Sequence, residues 1–154
     1  MADPTALAAL AQQLRDLVTT TLLDAGRPVG RSYISHGAPA WDACGEDQVT
    51  VHLAPLSFRS AGSGRQQQTR LDVGLVLQVV RCVPVPSDDG TPPPAVELDT
   101  SAVGLLDDAA RVVYAVLAAE WIPACTGLTL GQMNPLGPLG GVAGWSWQVT
   151  AQLL

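Results

Sequence analysis

The sequence predicts an α+β fold in one domain spanning residues 1–154: a mainly antiparallel four-stranded sheet with two helices packed on it. Three observations lead there. Two leucine- and valine-rich stretches repeat at helical spacing, the last segment alternates with period two, and Gly/Pro-rich runs separate them into the order helix, two strands, helix, two strands.

The first helix is expected from about Pro4 to Ala25. Asp3 serves as N-cap, Pro4 takes the first helical position, and Leu7, Leu10, Leu14, Leu17 and Leu22 recur along one side. Gly26 closes it and Pro28 prevents its resumption. The run Arg27–Gln48 has no periodicity and predicts an irregular connection, with Tyr33, Ile34 and Trp41 turned inward.

A strand follows at Gln48–Leu53, where Val49, Val51 and Leu53 share a face. Ser57–Thr69 is polar and Gly-bearing, the composition of a mobile loop closing a long hairpin between the first two strands. Leu71–Val83 alternates too, but both its faces turn apolar in the second half, which is the signature of a central strand. Pro84–Pro94 reads as an extended linker.

The second helix is expected from Thr100 or Ser101 to about Trp121. Val103, Leu106, Ala110, Val113 and Leu117 mark one face, and Leu105, Val112 and Val116 widen it. So broad an apolar surface predicts packing on the sheet with one flank beneath a neighbour. The sequence ends with a strand at Leu128–Met133, a turn in the following NPLGPLGG, and a strand at Val142–Leu153. In the last, Trp145, Trp147, Val149, Ala151 and Leu153 alternate with Ser146, Gln148, Thr150 and Gln152.

Composition narrows the function. Hydrophobic residues make up 47% of the chain and charged residues 14%, against about a quarter charged in an ordinary soluble domain. Too few charges remain to clothe a lone subunit, which points to burial against other subunits. The net charge of −6 argues against a general DNA-coating role, because phosphate binding needs a basic face. Cys44, Cys82 and Cys125 stand singly, and an odd count without a signal peptide points to reduced thiols and synthesis in the cytoplasm. No apolar stretch is long enough to predict a membrane span.

Catalytic signatures are sparse, so the expectation is a protein that is not an enzyme and carries no cofactor. Gly62–Arg65 lacks the Lys-Ser/Thr of a phosphate loop, and neither HExxH nor GxSxG occurs. His36, Cys44 and Cys125 could in principle ligate zinc, but at no standard spacing, and no metal site is assigned. His36, Asp42 and Cys44 offer a base, an acid and a thiol within one short loop. The preferred alternative is that Trp41 anchors this loop and Asp42 caps a turn, since triad members normally converge from distant segments. The most suggestive polar feature is the acid-free loop carrying Arg59, Arg65, Gln66, Gln67 and Arg70, which reads either as a solvated hairpin or as a contact, with a neighbouring subunit's carboxylates ahead of the phosphates of DNA.

Two segments carry a family likeness. RSYISHGAPAWDACGEDQVTVHLAPL (Arg31–Leu56) resembles the stretch in connector proteins of actinobacteriophages where a Pro/Gly turn, Ala-Trp-Asp, Cys-Gly and a strand follow in that order. GPLGGVAGWSWQVTAQL (Gly137–Leu153) is similar to their end, a Gly-rich turn leading into a Trp-bearing strand, and the order of elements resembles theirs across nearly the whole chain. The resemblance is to tail terminators and head-to-tail connectors of long-tailed, siphovirus-type phages. It implies a homo-oligomeric ring, usually a hexamer, that caps the tail tube in the virion and meets the neck below the portal. Its implied partners are copies of itself, the major tail tube protein and a neck or stopper protein, with DNA passing through the channel unread. By position, Ser57–Arg70 is the hairpin that would reach the adjacent subunit. The alternatives are a neck or stopper protein, or, in a different class, a small ligand-binding domain whose Trp-rich last strand lines a pocket.

Overall fold

The computed structural model describes residues 3–39, 44–54, 57–61 and 68–154, with the backbone alone at 57–61 and 68–69. Helices α1 (Ala6–Asp24) and α2 (Ala95–Ala118) lie on one face of a mixed sheet, so the fold is α+β. The strands are β1 (Arg31–Ser35), β2 (Gln48–Leu53), β3 (Ser57–Ala61), β4 (Gln68–Cys82), β5 (Cys125–Leu139) and β6 (Val142–Leu153). Their spatial order is β1-β2-β4-β6-β5, with β3 paired to β4. The expected four antiparallel strands in the order α-β-β-α-β-β are thus extended by two, and one pair is parallel.

Helix α1 buries a stripe of Ala6, Leu10, Leu14, Val18 and Leu22, four residues apart throughout. Its regular span begins two residues after the expected start, but Asp3 still caps the turn: its carboxylate accepts the Thr5 amide at 2.8 Å and the Thr5 hydroxyl at 2.7 Å. At the other end Gly26 has φ +72°. Its N–H reaches Leu23 O and the Arg27 N–H reaches Leu22 O, the paired bonds of a Schellman turn.

Strand β1 was expected to be irregular chain. It runs parallel to β2, with Arg31 opposite Gln48 and Ser35 opposite His52. Five residues with no alternation give too little signal to separate such an edge strand from a loop. Tyr33 is half-buried with the Arg31 guanidinium 5.2 Å from its ring centre, whereas Ile34 is exposed rather than turned inward. Trp41 lies outside the described residues.

The Ser57–Thr69 loop is also corrected. Strand β4 pairs first with β2 (Gln48↔Val80 to Leu53↔Leu75) and then, on the same side, with β3 (Ser57↔Asp72 to Ala61↔Gln68). Strand β6 covers the other side of β4 only as far as Leu71, opposite Leu153. The β3–β4 ribbon therefore continues past the last rung of β6 as an arm. Polar, Gly-bearing sequence without alternation had masked this ladder.

Helix α2 starts five residues earlier than expected and stops at Ala118. Pro94 leads into it with φ −56°, and Thr100, a candidate cap, lies inside the helix with its hydroxyl donating back to Val96 O at 2.8 Å. Beyond the helix, Gln13 of α1 acts as a clamp. Its amide nitrogen donates to Glu120 O at 2.8 Å and its amide oxygen accepts the Ile122 N–H at 3.1 Å. Strand β5 runs through the segment expected as a turn, accommodated by three register shifts against β6. The hairpin closes at Gly140 and Gly141, with φ +60° and +76°, the backbone required at both centres of a two-residue turn.

The core is formed where the helices meet the sheet. Val49 and Val51 of β2, Val73, Leu75, Leu77 and Val79 of β4, and Trp147, Val149, Ala151 and Leu153 of β6 face α1 and the inner side of α2. Helix α1 lies over β1, β2 and β4, while α2 lies beside it toward β5 and β6.

Candidate interaction surface

At the end of the sheet where β4 finishes, four charged side chains converge. Asp108 of α2 is fully buried and accepts four N–H bonds. Arg81 gives Nε to Oδ2 (2.8 Å) and Nη2 to Oδ1 (3.1 Å); Arg27 gives Nε to Oδ1 (2.6 Å) and Nη2 to Oδ2 (3.1 Å). Arg81 spends its remaining donors on Pro28 O, Arg27 O and Asp47 Oδ2 at 2.7–3.0 Å. The other oxygen of Asp47 accepts the Cys82 amide at 2.7 Å. Paired guanidinium forks of this kind are strong and directional. The cluster ties the exit of α1, the entry of β2, the end of β4 and the middle of α2 together. Asp108 raises the pKa of Arg27 above its already high ordinary value, so that guanidinium stays charged. The neighbouring groove of 590 Å³ is lined by Arg27, Asp47, Arg81, Glu97 and Gly104, but Arg27, Asp47 and Arg81 are already engaged within the cluster. A Cβ on Gly104 would come within 2.8 Å of the Arg27 guanidinium, so glycine makes room for that crossing.

The cysteines differ from expectation. Cys44 and Cys82 form a disulfide, with Cα atoms 5.4 Å apart and a sequence separation of 38, leaving Cys125 as the free thiol. A loop nucleophile at Cys44 is therefore not available in this state. His36 is exposed, and Asp42 lies outside the described residues. The zinc trio does not converge either. Cys125 sits opposite Leu153, itself opposite Leu71, so it is at the far end of β4 from Cys82; eleven strand residues correspond to roughly 35 Å. Among the described residues no group of His, Cys, Asp and Glu is placed to hold a metal ion. No helix among them is long and apolar enough to cross a membrane. The tryptophans of the last strand do not line an open pocket: Trp147 is fully buried, and Trp145 is half-buried with its indole N–H on Leu105 O at 2.7 Å.

What remains open is a flank. Val96, Val103, Leu106, Tyr114 and Leu117 are 57% to 76% exposed on the outer side of α2, apolar positions at helical spacing interrupted by Asp99 and by the Asp107–Arg111 pair. Buried Ala109, Val112 and Val116 occupy the inner side. Beside this flank runs the edge strand β5, which is exposed along most of its length. No charged residue occurs after Glu120, so β5 has none of the charges that natural edge strands use to repel pairing. The sequence anticipated more apolar surface on the second helix than the sheet would cover, and α2 does leave one flank exposed.

The expected arginine loop is only partly visible. Arg59 and Arg70 occupy one register position of the β3–β4 arm. The Arg70 side chain is 38% exposed, and its Nε is 4.0 Å from Asp72. Arg65, Gln66 and Gln67 lie outside the described residues, as does the side chain of Arg59. The buried cluster was missed in the sequence. Its one local trace is a charge inside an apolar pattern: Arg81 follows Val79 and Val80 of β4, and Asp108 falls on the buried stripe of α2.

No protein-family model matches the sequence, and a search of curated proteins returns no significant relative.

Proposed function

We propose that this chain is a structural, non-enzymatic protein of the phage head–tail junction, of the tail-terminator kind. Its work is geometric. Copies close into a ring, by the resemblance a hexamer, that caps the tail tube and presents a docking face to the neck or stopper protein, while DNA passes through without sequence-specific contact. A ring forms when two unlike surfaces of one chain meet and the rotation closes. The observation that carries this reading is the exposed apolar flank of α2 beside the charge-free edge of β5, a surface whose burial favours association in water. The arm and the two segments resembling connector proteins support it.

Negative-stain images and mass photometry of the purified chain, alone and with isolated tail tubes, test the proposal. Rings, alone or seated on tube ends, are the expected result. Single subunits that neither self-associate nor block tube elongation would count against it. Attachment to portal–neck complexes in place of tubes would move the protein one layer up, to the stopper.

A further inference from the structure

The sheet ends in β1 on one side and in β5 on the other, and among the described residues no strand pairs with the outer edge of either. On β1 the open groups can be named. Arg31 donates its amide to Asp47 O at 3.1 Å, and along a parallel strand the N–H and C=O of alternate residues point to opposite sides. Ser32 and Ile34 therefore turn theirs away from β2. β1 is five residues long, without proline or glycine. β5 has no charge anywhere and no proline from Cys125 to Asn134, and its Thr129 and Gln132 are exposed. Unpaired edges of this kind are templates for another strand.

The two edges match in direction. β1 runs parallel to β2, and β2, β4, β6 and β5 then alternate, so β1 and β5 run in opposite senses. Copies related by rotation around a ring keep that sense, and β5 of one meets β1 of the next antiparallel. One such contact covers both open edges of every copy. Pairing β5 with β5 of a second copy would leave each β1 open and stop at two chains. The helices agree with this arrangement. Helix α1 lies over β1, where the Thr19 and Ser32 hydroxyls meet at 2.6 Å. Leu23, one turn beyond Thr19 on the same side, is 58% exposed. Joining the edges sets the open flank of α2 against α1 of the neighbouring copy.

We infer that the β1 edge of one copy adds antiparallel to the β5 edge of the next, so that one sheet runs through the contact. The inference rests on the ring reading and specifies which edges of the chain meet. Backbone hydrogen bonds supply the attraction, and the absence of charge on β5 leaves it unopposed.

Blocking each edge separately tests it. Ile34→Pro removes an outward N–H from β1 without taking a bond from β2; Thr129→Lys with Gln132→Lys lays charge along β5. Circular dichroism checks that each variant folds. In sedimentation velocity, either variant alone should associate on the order of tenfold more weakly than wild type. A one-to-one mixture should form dimers and nothing larger, because the lysine variant keeps an intact β1 and the proline variant an intact β5. Hydrogen exchange of the wild type needs no variant: the Ser32 and Ile34 amides should gain protection on assembly. An Ile34→Pro chain that associates like wild type, a mixture without dimers, or unchanged exchange at Ser32 and Ile34 would each overturn the inference. If rings persist in both variants, the ring reading stands and this pairing does not. Wild-type monomers at every concentration would sink both.

Discussion

Arg81 and Asp108 hold each other through two near-parallel hydrogen bonds of 2.8 and 3.1 Å, at positions 8% and 0% exposed. Among the described residues it is the one ionic link between strand β4 and helix α2, and Arg27 and Asp47 complete its coordination. Removing one partner leaves uncompensated charge in a dry site, which costs about 3–5 kcal/mol. Asp108→Ala should therefore lower the melting temperature by roughly 10 °C in a chain of this size. A thermal melt followed by circular dichroism reads it directly, and a change of only a degree or two would mean that the cluster contributes little.

The disulfide makes a countable prediction. The denatured, unreduced protein should yield one thiol, Cys125, and three after reduction. Cys82→Ser, which opens the covalent loop, should cost about 2–4 kcal/mol in denaturant unfolding. Three thiols before reduction would show that Cys44 and Cys82 are not joined.

His52 gives the fold a pH dependence. It is buried on β2, its Nδ1 has no hydrogen-bond partner, and burial lowers its pKa below the ordinary 6.5. The unfolded chain then binds this proton more readily than the folded one, so stability rises with pH below 6.5 and the contribution levels off above it. Melting temperature should fall between pH 7.5 and pH 5.5, two points chosen roughly a unit either side of the free value, and His52→Gln should flatten that step. Identical slopes in both proteins would remove His52 as the cause.

The α2 flank separates stability from assembly. Leu106→Ser changes an exposed side chain and should leave the stability of the isolated chain within about 0.5 kcal/mol of wild type. In the proposed ring the same change removes buried apolar area worth about 1.5–3 kcal/mol per contact. Light scattering should show weaker association at unchanged fold. A variant that assembles like wild type would take Leu106 out of the interface.

Helix α1 and strand β6 were legible because every residue in them obeys one period: leucines and valine four apart in α1, and indole or aliphatic side chains at every second position of β6. Strand β1 was not, because it is short, parallel and only half-covered. The start of α2 was obscured by Thr100 and Ser101, whose hydroxyls suit a cap equally well in isolation. The charge cluster was beyond sequence reasoning for a different reason. Arg27, Asp47, Arg81 and Asp108 come from four elements, and no local pattern records a meeting that only tertiary packing creates. The apolar flank of α2, by contrast, was visible as more hydrophobic surface than one sheet can cover.

Strand β6 lies between β4 and β5, yet it is drawn from the last stretch of the sequence; Leu71 meets Leu153 and Cys82 meets Val142 across 60 to 82 intervening positions. Such distant pairings make folding slow. Until β4 receives it, this uncharged, strand-prone stretch has nothing to repel its counterpart in another unfolded molecule. Yield on refolding should consequently fall steeply with protein concentration, and the hazard ends only when the middle of the sheet is filled.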